Sequence, residues 1–202
     1  MAAMLEIVGL HRVGLEPASF TLDRGSCMAV RGPSGAGKSL LLRAIADLDP
    51  NEGHVALDGR QRSDIPAPDW RRQVLYLPAQ SGWWADTVGD HFSDWRAAVP
   101  LLNELGLPDE SGAWPIARCS TGELARLALV RALMREPKVL LLDEPTAALD
   151  AATVKAVEAL LRGRIKAGVS ALWVTHDSLQ VARVADRSLT VGAGVVRESP
   201  KS

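Results

Sequence analysis

The residues of this chain best suited to chemistry form a glycine-rich loop that ends in a lysine and a serine. Positions 32–39 read GPSGAGKS and match the phosphate-binding pattern G-x-x-x-x-G-K-[ST] at every fixed position. Glycine allows the backbone of such a loop to curl, so that its N–H groups point at phosphate oxygens. Lys38 can reach the β- and γ-phosphates of a nucleotide, and the Ser39 hydroxyl can bind Mg²⁺. A turn that binds nothing would need neither side chain.

The sequence on either side of the loop supports the same interpretation. The apolar run 27–30 predicts a strand and the run 40–46 predicts a helix. A helix that begins here would add its positive dipole end to the phosphate site. The loop indicates a nucleotide, but not what is done with it. The predicted phosphate-binding residues are Gly32, Pro33, Ser34, Gly35, Ala36, Gly37, Lys38 and Ser39.

Two adjacent acids form the second group of interest. Asp143 and Glu144 directly follow the apolar run 139–142, which predicts a buried strand. Ligands of parallel sheets bind at the carboxyl ends of the strands, where these acids would lie. Asp143 suits Mg²⁺, directly or through water, and Glu144 is placed to orient or deprotonate an attacking water. Acids are also common in solvated turns, but the glycine loop in the same chain favours the catalytic interpretation.

A histidine and a glutamine follow two further predicted strands. His176 comes after the run 171–174, which is expected to lie in the same parallel sheet as Asp143. A lone histidine is more often structural than catalytic, yet this one could reach the same crevice. Gln80 follows the run 73–77, and its amide could bind Mg²⁺ or water. On chemistry alone, an ordinary loop residue is an equally good interpretation of Gln80.

A short polar segment precedes the predicted helix at 124–134. Ser120 and Glu123 have the spacing of a capping box, in which each side chain bonds the other residue's backbone N–H. By spacing alone, that structural role is the favoured one. The start of a helix also binds anions, and the two roles are compatible.

The order of apolar runs and turns predicts an α/β fold. Strands that alternate with helices indicate a largely parallel sheet covered on both faces. The hydrophobic pattern changes at residues 82–135, where two amphipathic helices are predicted on either side of a Gly- and Pro-containing loop. This segment is interpreted as a helical insertion. We therefore expect a single domain with a core at 1–81 and 136–202 and a helical subdomain at 82–135. Strands are predicted at 5–8, 18–22, 27–30, 53–59, 73–77, 139–142, 171–174, 189–191 and 195–196, and helices at 40–46, 95–105, 124–134, 151–167 and 179–185. The strand at 53–59 is expected to end in a tight Asp-Gly turn, and Pro100 is expected to interrupt the helical pattern at 95–105.

Composition limits the possible partners. The 202 residues carry a formal net charge of −1, which gives no electrostatic reason to expect nucleic acid. The first residues lack a basic segment and a long apolar stretch, so no secretion signal is predicted. No run approaches the roughly 18–20 apolar residues of a membrane span, so a membrane role would come through a partner. Cys27 and Cys119 are interpreted as reduced cytoplasmic thiols without metal-ligand spacing.

Taken together and in order, these motifs resemble the ATPase subunit of ABC (ATP-binding cassette) systems. The glycine loop is shared by many NTPases, but the ordered set is specific, and the resemblance covers essentially the whole chain. It makes 32–39 the Walker A motif and 139–144 the Walker B motif, and 147–150 matches the D-loop. Gln80 falls at the Q-loop, His176 at the switch histidine and 119–123 at the signature.

The resemblance implies a P-loop NTPase (RecA-like) core, an antiparallel β piece near the N-terminus and a helical subdomain. It also implies ATP and Mg²⁺, with Ser39, Gln80 and Asp143 near the metal and Glu144, His176, Gln80 and Lys38 as the catalytic residues. Two copies would sandwich two ATP molecules, and Ser120, Gly122 and Glu123 of each would face the other copy's Walker A motif. The signature departs from the usual Leu-Ser-Gly-Gly-Gln at Cys119 and Thr121.

The adenine-stacking aromatic of the family has no clear counterpart. The region around positions 9–13 is short, so His11 is the stacking candidate, with Leu10 as the apolar alternative. Nucleobase selectivity is expected to be weak.

Two functions follow from the resemblance. The chain would energise a transporter whose permease subunits are encoded separately, from the inner face of the cell membrane. Alternatively, it would be an ABC ATPase acting on DNA or ribosomes, but those tend to carry coiled-coil insertions, zinc motifs or two cassettes, and none is present in this sequence. A P-loop kinase or a GTPase would have no use for 119–123 and His176 in these places.

Two adjacent tryptophans follow Gln80. Trp83 and Trp84 cannot both point into one core from a regular element, so at least one is expected near the surface. Exposed aromatics often mark protein interfaces. The resemblance places this stretch where a permease docks. We therefore expect docking through Trp83, whereas for Trp84 docking and packing are equally good interpretations.

Overall fold

A computed structural model describes residues 3–199 of the chain, which form two sheets and six α-helices. The larger sheet has the strand order β10-β9-β3-β8-β7-β6. Its strands are β3 (Cys27–Arg31), β6 (Val74–Leu77), β7 (Val139–Asp143), β8 (Ser170–Val174), β9 (Arg187–Gly192) and β10 (Val195–Ser199). All neighbouring pairs are parallel except β9 and β10. This arrangement confirms the predicted α/β class with a mostly parallel sheet.

The central strands of this sheet are buried along their whole length. Every residue of β7 and β8 is buried, because helices and the second sheet cover both faces. The continuous apolar letters at 139–142 and 171–174 are the sequence signature of that position. Since both strands end at the same edge, Asp143 and His176 are brought to one side of the sheet.

The smaller sheet is antiparallel and lies at the N-terminal side of the chain. Its order is β2-β1-β4-β5. The strands are β1 (Ala3–Arg12), β2 (Leu15–Asp23), β4 (Glu52–Leu57) and β5 (Arg60–Gln61). The predicted Asp-Gly turn joins β4 to β5, and both of its residues have positive φ (52° at Asp58 and 75° at Gly59), as a two-residue hairpin turn requires. The antiparallel β piece implied by the resemblance is therefore present.

The helices are α1 (Lys38–Ile45), α2 (Ala67–Gln73), α3 (Trp95–Glu104), α4 (Thr121–Leu133), α5 (Ala151–Lys166) and α6 (Ser178–Val184). The sequence did not predict α2, a short helix that begins after Pro66 and places Trp70 in the core. The predicted interruption at Pro100 does not occur, because α3 continues through it. Proline removes one backbone hydrogen bond there, and burial of Ala98, Leu101 and Leu102 on the same helix outweighs that loss.

Two apolar cores lie on opposite faces of the larger sheet. The first is formed by the antiparallel sheet, α1, α2 and the inward side chains Met28, Val30, Leu141 and Leu172. The second is formed by α3, α4, α5 and the opposite side chains of the same strands, including Leu140, Leu142 and Trp173. The helices of the 82–135 segment thus share a core with the sheet, and the proposed subdomain boundary stays a prediction. Among residues 3–199, no helix is long and apolar enough to cross a membrane.

Candidate nucleotide-binding and catalytic site

The glycine loop joins the end of β3 to the start of α1, as predicted. Gly32 has φ 148°, and a Cβ atom built on it would lie 2.1 Å from the Val191 carbonyl oxygen, so no other residue fits. The loop therefore crosses directly over β9. The loop residues border a cavity of about 390 Å³, lined by Ser34, Gly35, Gly37, Lys38, Ser39, Leu40 and Glu144.

Lys38 is held inside the loop by the backbone. Its Nζ donates to the carbonyl oxygens of Gly32 and Pro33, at 2.9 Å each, and the residue is only 6% exposed. These two carbonyls keep the long side chain folded back over the loop. The ammonium group is therefore fixed beside the cavity at the N-terminus of α1, where the helix dipole also favours an anion.

Asp143 is the last residue of β7 and Glu144 follows it, and the two side chains contact different partners. Asp143 is 5% exposed, and its Oδ2 accepts a hydrogen bond from the Tyr76 hydroxyl at 2.8 Å. Burial and this carboxylate raise the pKa of Tyr76 well above its ordinary value, so the phenol remains protonated and donates. Glu144 has a left-handed backbone (φ 51°), which is unusual for a residue with a side chain. That turn directs Glu144 towards the loop cavity.

Glu144 contacts the predicted histidine. The Nε2 atom of His176 lies 2.9 Å from Glu144 Oε1, and the side chains are 46% and 33% exposed. Asp177 caps the start of α6 by accepting from the Leu179 N–H at 2.8 Å, while Thr175 Oγ1 accepts from the Asp177 N–H at 3.1 Å. Local hydrogen bonds on both sides of His176 thus set the direction in which its ring leaves the sheet.

A buried polar network behind His176 was missed by the sequence analysis. Glu158 and Gln180 are each 2% exposed, and Gln180 donates to Glu158 at 3.0 Å and to Thr146 at 3.2 Å. Arg183 donates two hydrogen bonds to Glu158, which lower the pKa of that carboxyl. The network ties α5 and α6 to the segment that follows Glu144. The detectable signal was Glu158 itself, an acid beside Val157 on the apolar face of α5.

Gln80 lies apart from the glycine loop. It is exposed and borders a separate cleft of about 370 Å³, whose lining also includes Trp83, Thr121 and Glu144. It does not line the loop cavity. In this conformation the cleft that contains Gln80 and the loop cavity have only one lining residue in common, Glu144.

The segment before α4 forms the predicted capping box. Ser120 Oγ donates to Glu123 Oε2 at 2.8 Å, and the Ser120 N–H donates to the same oxygen at 2.8 Å. In return, the Glu123 N–H donates to Ser120 Oγ at 3.2 Å. These hydrogen bonds, the backbone one first, lower the pKa of Glu123. A Cβ on Gly122 would lie 3.1 Å from the Ala148 carbonyl oxygen, so α4 starts directly against the predicted D-loop.

None of the signature residues lines the loop cavity of its own chain. Ser120, Gly122 and Glu123 are absent from its border, and the exposed Thr121 faces the cleft with Gln80. Within residues 3–199 the structure thus brings together Lys38 and Ser39 with Glu144, and Glu144 with His176. Ser120, Gly122 and Glu123 border neither this cavity nor the cleft with Gln80, whereas Thr121 shares that cleft with Glu144.

The expected adenine-stacking residues need correction. Leu10 is fully buried in the first core, so it cannot stack on a base. His11 places Nδ1 3.0 Å from the Gly9 carbonyl oxygen and Nε2 3.5 Å from Glu52. The exposed apolar residue near the loop is Val13 at 92% exposure, next to Gly14, whose carbonyl lies close to Gly37. Val13 lies in the two-residue connection between β1 and β2, and the sequence analysis did not consider it as a stacking candidate.

Trp83 is half-buried and Trp84 is exposed, so Trp84 is the better candidate for docking, and docking through either residue stays a prediction. Trp83 packs against the second core, whereas Trp84 is 72% exposed. The buried His91 fixes their loop, because its Nε2 accepts from the N–H groups of Trp84 and Ala85 at 2.8 and 3.1 Å. The guanidinium of Arg131, on α4, lies 4.4 Å from the Trp83 ring centre and 4.9 Å from that of Trp84.

Comparison with known proteins gives consistent matches. A family profile described as "ABC transporter" matches residues 15–147. The aliphatic sulfonates import ATP-binding protein SsuB 2 of Paracoccus denitrificans is 39% identical over 197 residues, which cover 93% of this chain and 75% of that protein. The probable iron export ATP-binding protein FetA of Escherichia coli is 33% identical, with 92% of this chain and 88% of FetA covered.

Two solved structures and a longer relative also match this chain over most of its length. A structure described as the ATP binding subunit of an ABC transporter superposes with a TM-score of 0.85 at 26% identity, covering 97% of this chain and 89% of that one. A bacterial Atm1-family ABC exporter with ATP bound also gives 0.85, but the match covers only 38% of that chain. The sulfate/thiosulfate import ATP-binding protein CysA 2 of Chromobacterium violaceum is 34% identical, and this chain spans about half of it, 54%.

Proposed function

This chain belongs to the ABC transporter family, and we propose that it binds and hydrolyses ATP to energise transport through separately encoded membrane permease subunits. The observation that carries the proposal is the meeting of Lys38 and Ser39 with Glu144 at one cavity, with His176 hydrogen-bonded to Glu144. A binding loop alone would not need a hydrogen-bonded acid and histidine at its edge. The names of the relatives all describe ATP-binding proteins of import or export systems.

The phosphates of ATP would be bound by the loop backbone and Lys38. The N–H groups of residues 32–39 and the start of α1 supply partial positive charge, and Lys38 supplies a full charge that its two carbonyl contacts hold in place. The adenine would lie against Val13 or His11 at the β1–β2 connection. Neither residue gives the broad aromatic stacking of a tyrosine or tryptophan, so affinity would rest on the phosphates.

The residues present fit Mg²⁺. The Ser39 hydroxyl, the Asp143 carboxylate and the Gln80 amide supply the oxygen ligands that this ion prefers. Asp143 is ready for that role because one of its oxygens is already fixed by Tyr76. Bound there, Mg²⁺ would supply positive charge that offsets the negative charge developing on the phosphate during transfer. Gln80 would have to approach from its separate cleft.

Glu144 would orient the attacking water and accept its proton. Its carboxylate borders the cavity where the γ-phosphate is expected, and His176 holds it from the other side at 2.9 Å. With the proton on Nε2, His176 donates to Glu144 and limits its rotation. We assign His176 two alternative roles. It orients Glu144 through this hydrogen bond, or its ring rotates and contacts the γ-phosphate.

The site would be completed by a second copy of the chain. Ser120, Gly122 and Glu123 form an anion-ready helix start that does not reach the cavity of its own chain. Facing the loop of a second copy, the same residues would contact the γ-phosphate there. Two chains would then enclose two ATP molecules and separate after hydrolysis.

Permease subunits would dock on the surface around Trp84, which puts the chain at the inner face of the membrane. Trp84 is a large exposed aromatic that directly follows Trp83, a residue of the cleft that Gln80 also borders. The alternative, an ABC ATPase that acts on nucleic acid or ribosomes, has no supporting observation here. The near-neutral net charge of −1 gives no electrostatic reason for it.

The test begins with the purified chain and ends with its membrane partner. Phosphate release from MgATP should occur with the wild-type chain and be lost in Glu144→Gln, whereas Lys138→Ala, a change at an exposed ion pair far from the loop, should leave it intact. An integral membrane protein isolated with the tagged chain should then change that rate in reconstituted vesicles. Absence of any ATP hydrolysis would refute the enzymatic part. A membrane partner that never affects the rate would refute the coupling to transport.

A further inference from the structure

We infer that Tyr76 is a positioning residue for the Mg²⁺ site, acting through Asp143. The Tyr76 hydroxyl donates to Asp143 Oδ2 at 2.8 Å. In residues 3–199 this is the one side-chain hydrogen bond that Asp143 makes. The inference rests on the proposed role of Asp143 as a metal ligand.

Strand register explains why this tyrosine reaches that acid. Tyr76 on β6 is paired with Leu141 on β7, so the two side chains lie on the same face of the sheet. Asp143 lies two residues further along β7 and therefore also on that face. Two residues of strand span about 6.6 Å, a gap that an extended tyrosine side chain can bridge diagonally. A phenylalanine would have the same ring but no oxygen to bridge it.

The ring of Tyr76 is held in place by the first core. It is half-buried against that core, which restricts its rotation. The helix α1, which carries Lys38 and Ser39, packs in the same core through Leu41, Leu42 and Ile45. One shared core therefore positions both the tyrosine and the helix that carries the loop residues.

A carboxylate fixed in this way has one oxygen assigned and one left for the metal. Hydrogen bonds to metal-binding carboxylates select their orientation, and loss of such a partner commonly lowers metal affinity by roughly 10–100-fold. Without the Tyr76 hydroxyl, the Asp143 carboxylate would rotate more freely, and neither of its oxygens would be held towards the metal. Nucleotide binding itself, which depends on the loop and Lys38, would not be affected.

The first test separates the metal from the nucleotide. Calorimetric titration of a non-hydrolysable ATP analogue into wild type and Tyr76→Phe is done in EDTA and then at increasing Mg²⁺. We expect affinity in EDTA to agree within about twofold, while the half-saturating Mg²⁺ concentration rises roughly 10–100-fold in Tyr76→Phe. Trp70→Phe is the matched control, because it removes a buried donor to Ile45 in the same core without touching Asp143. This control should leave the Mg²⁺ requirement unchanged.

The second test uses wild type alone and does not depend on any variant folding. The sequence contains a single tyrosine, so tyrosine labelled with ¹³C at the hydroxyl-bearing carbon gives one NMR signal. With the analogue bound, Mg²⁺ should shift that signal, because the charge on the hydrogen-bonded carboxylate changes.

The outcomes distinguish this inference from the proposed function. A wild-type chain that binds no analogue, or binds it without any effect of Mg²⁺, would contradict the proposed function. A wild-type chain with a clear Mg²⁺ effect, but an unshifted tyrosine signal or an unchanged Mg²⁺ requirement in Tyr76→Phe, would overturn only the role of Tyr76.

Discussion

His176 Nε2 and Glu144 Oε1 are 2.9 Å apart, although the two residues lie at the ends of different strands and 32 positions apart in the chain. The contact joins the acid that borders the loop cavity to a ring whose position is set by the start of α6. We therefore expect the two side chains to act as one unit rather than as independent groups.

Loss of either member of this pair should slow turnover without preventing binding. Glu144→Gln keeps the shape of the side chain but cannot accept a proton, and removal of a general base commonly costs about 10²–10⁴-fold in rate. His176→Ala should also lower the rate, and the double variant should be little slower than Glu144→Gln alone. Phosphate-release assays at saturating MgATP give the rates. If the rate loss of the double variant instead equals the product of the two single-variant losses, the two side chains act independently.

Lys38→Ala should weaken ATP binding by well over tenfold. The ammonium group is the only full positive charge that lines the loop cavity in the described part of the chain, and charge-assisted hydrogen bonds contribute about 1.5–3 kcal/mol. Isothermal titration with MgATP in the Glu144→Gln background gives the affinity without turnover. Lys138→Ala is the matched control, since it removes a lysine that is paired with Asp58 and remote from the loop. Equal affinities for both variants would remove Lys38 from the site.

Association of two copies should require ATP. In the Glu144→Gln background, light scattering should show a monomer without nucleotide and a dimer with MgATP. Ser120→Arg should abolish the dimer, because a long side chain would occupy the place of the γ-phosphate of the second copy. Ser63→Arg, at an exposed position beside the smaller sheet, is the matched control, because it makes the same substitution away from the signature and the predicted D-loop. A dimer that forms regardless of ATP and of Ser120→Arg would contradict the two-copy arrangement.

Trp84→Ala should uncouple the chain from its permease while leaving it folded. Because Trp84 is 72% exposed, its removal should hardly change the melting temperature or the basal ATPase rate, whereas Trp83→Ala should lower the melting temperature. Co-purification with the permease from solubilised membranes reports the docking. If Trp84→Ala co-purifies normally and transport is unaffected, the docking surface lies elsewhere.

Asp49 should make stability depend on acid pH. Hydrogen bonds from Arg43, followed by those from Arg12, lower the pKa of Asp49 to about 2, against an ordinary value of about 3.9. A lowered pKa means that the stabilisation is complete above about pH 4 and disappears as the pH falls through about 2. Asp49→Asn should thus be less stable near neutral pH by about 1 kcal/mol, with the difference closing in acid. Urea unfolding at several pH values measures it, with Asp69→Asn at an exposed pair as the control.

Much of the fold could be predicted because the signals were local. The apolar runs at 139–142 and 171–174 identified strands that are buried on both faces, and the Asp58–Gly59 turn was readable from two letters. The helix α2 was missed because only Trp70 of its seven residues is buried, which leaves no amphipathic periodicity. The role of Pro100 was misjudged because tertiary burial of α3 outweighs a single lost hydrogen bond.

Position along the chain predicted part of the geometry of the candidate site. Glu144 and His176 each follow a strand of the larger sheet, and their side chains do meet. Position could not show that Gln80 faces a different cleft or that Leu10 is in the core, because both depend on a bulge or loop whose direction is set by distant contacts. Likewise, the sequence does not show which of two adjacent tryptophans packs against the core, because that depends on contacts with His91 and Arg131. The assignment of catalytic and binding roles stays a prediction.

The helix α4 begins at the Ser120–Glu123 capping box and carries Arg131 near its other end, over the tryptophan pair. Ser120 and Arg131 are eleven positions apart, which corresponds to about 16 Å along the helix. To meet the γ-phosphate of a second copy, the Ser120 hydroxyl must give up its hydrogen bond to Glu123, and any resulting tilt of the helix moves Arg131 against Trp83 and Trp84. If a permease docks at Trp84 as proposed, it would thereby respond to the nucleotide bound between the two copies.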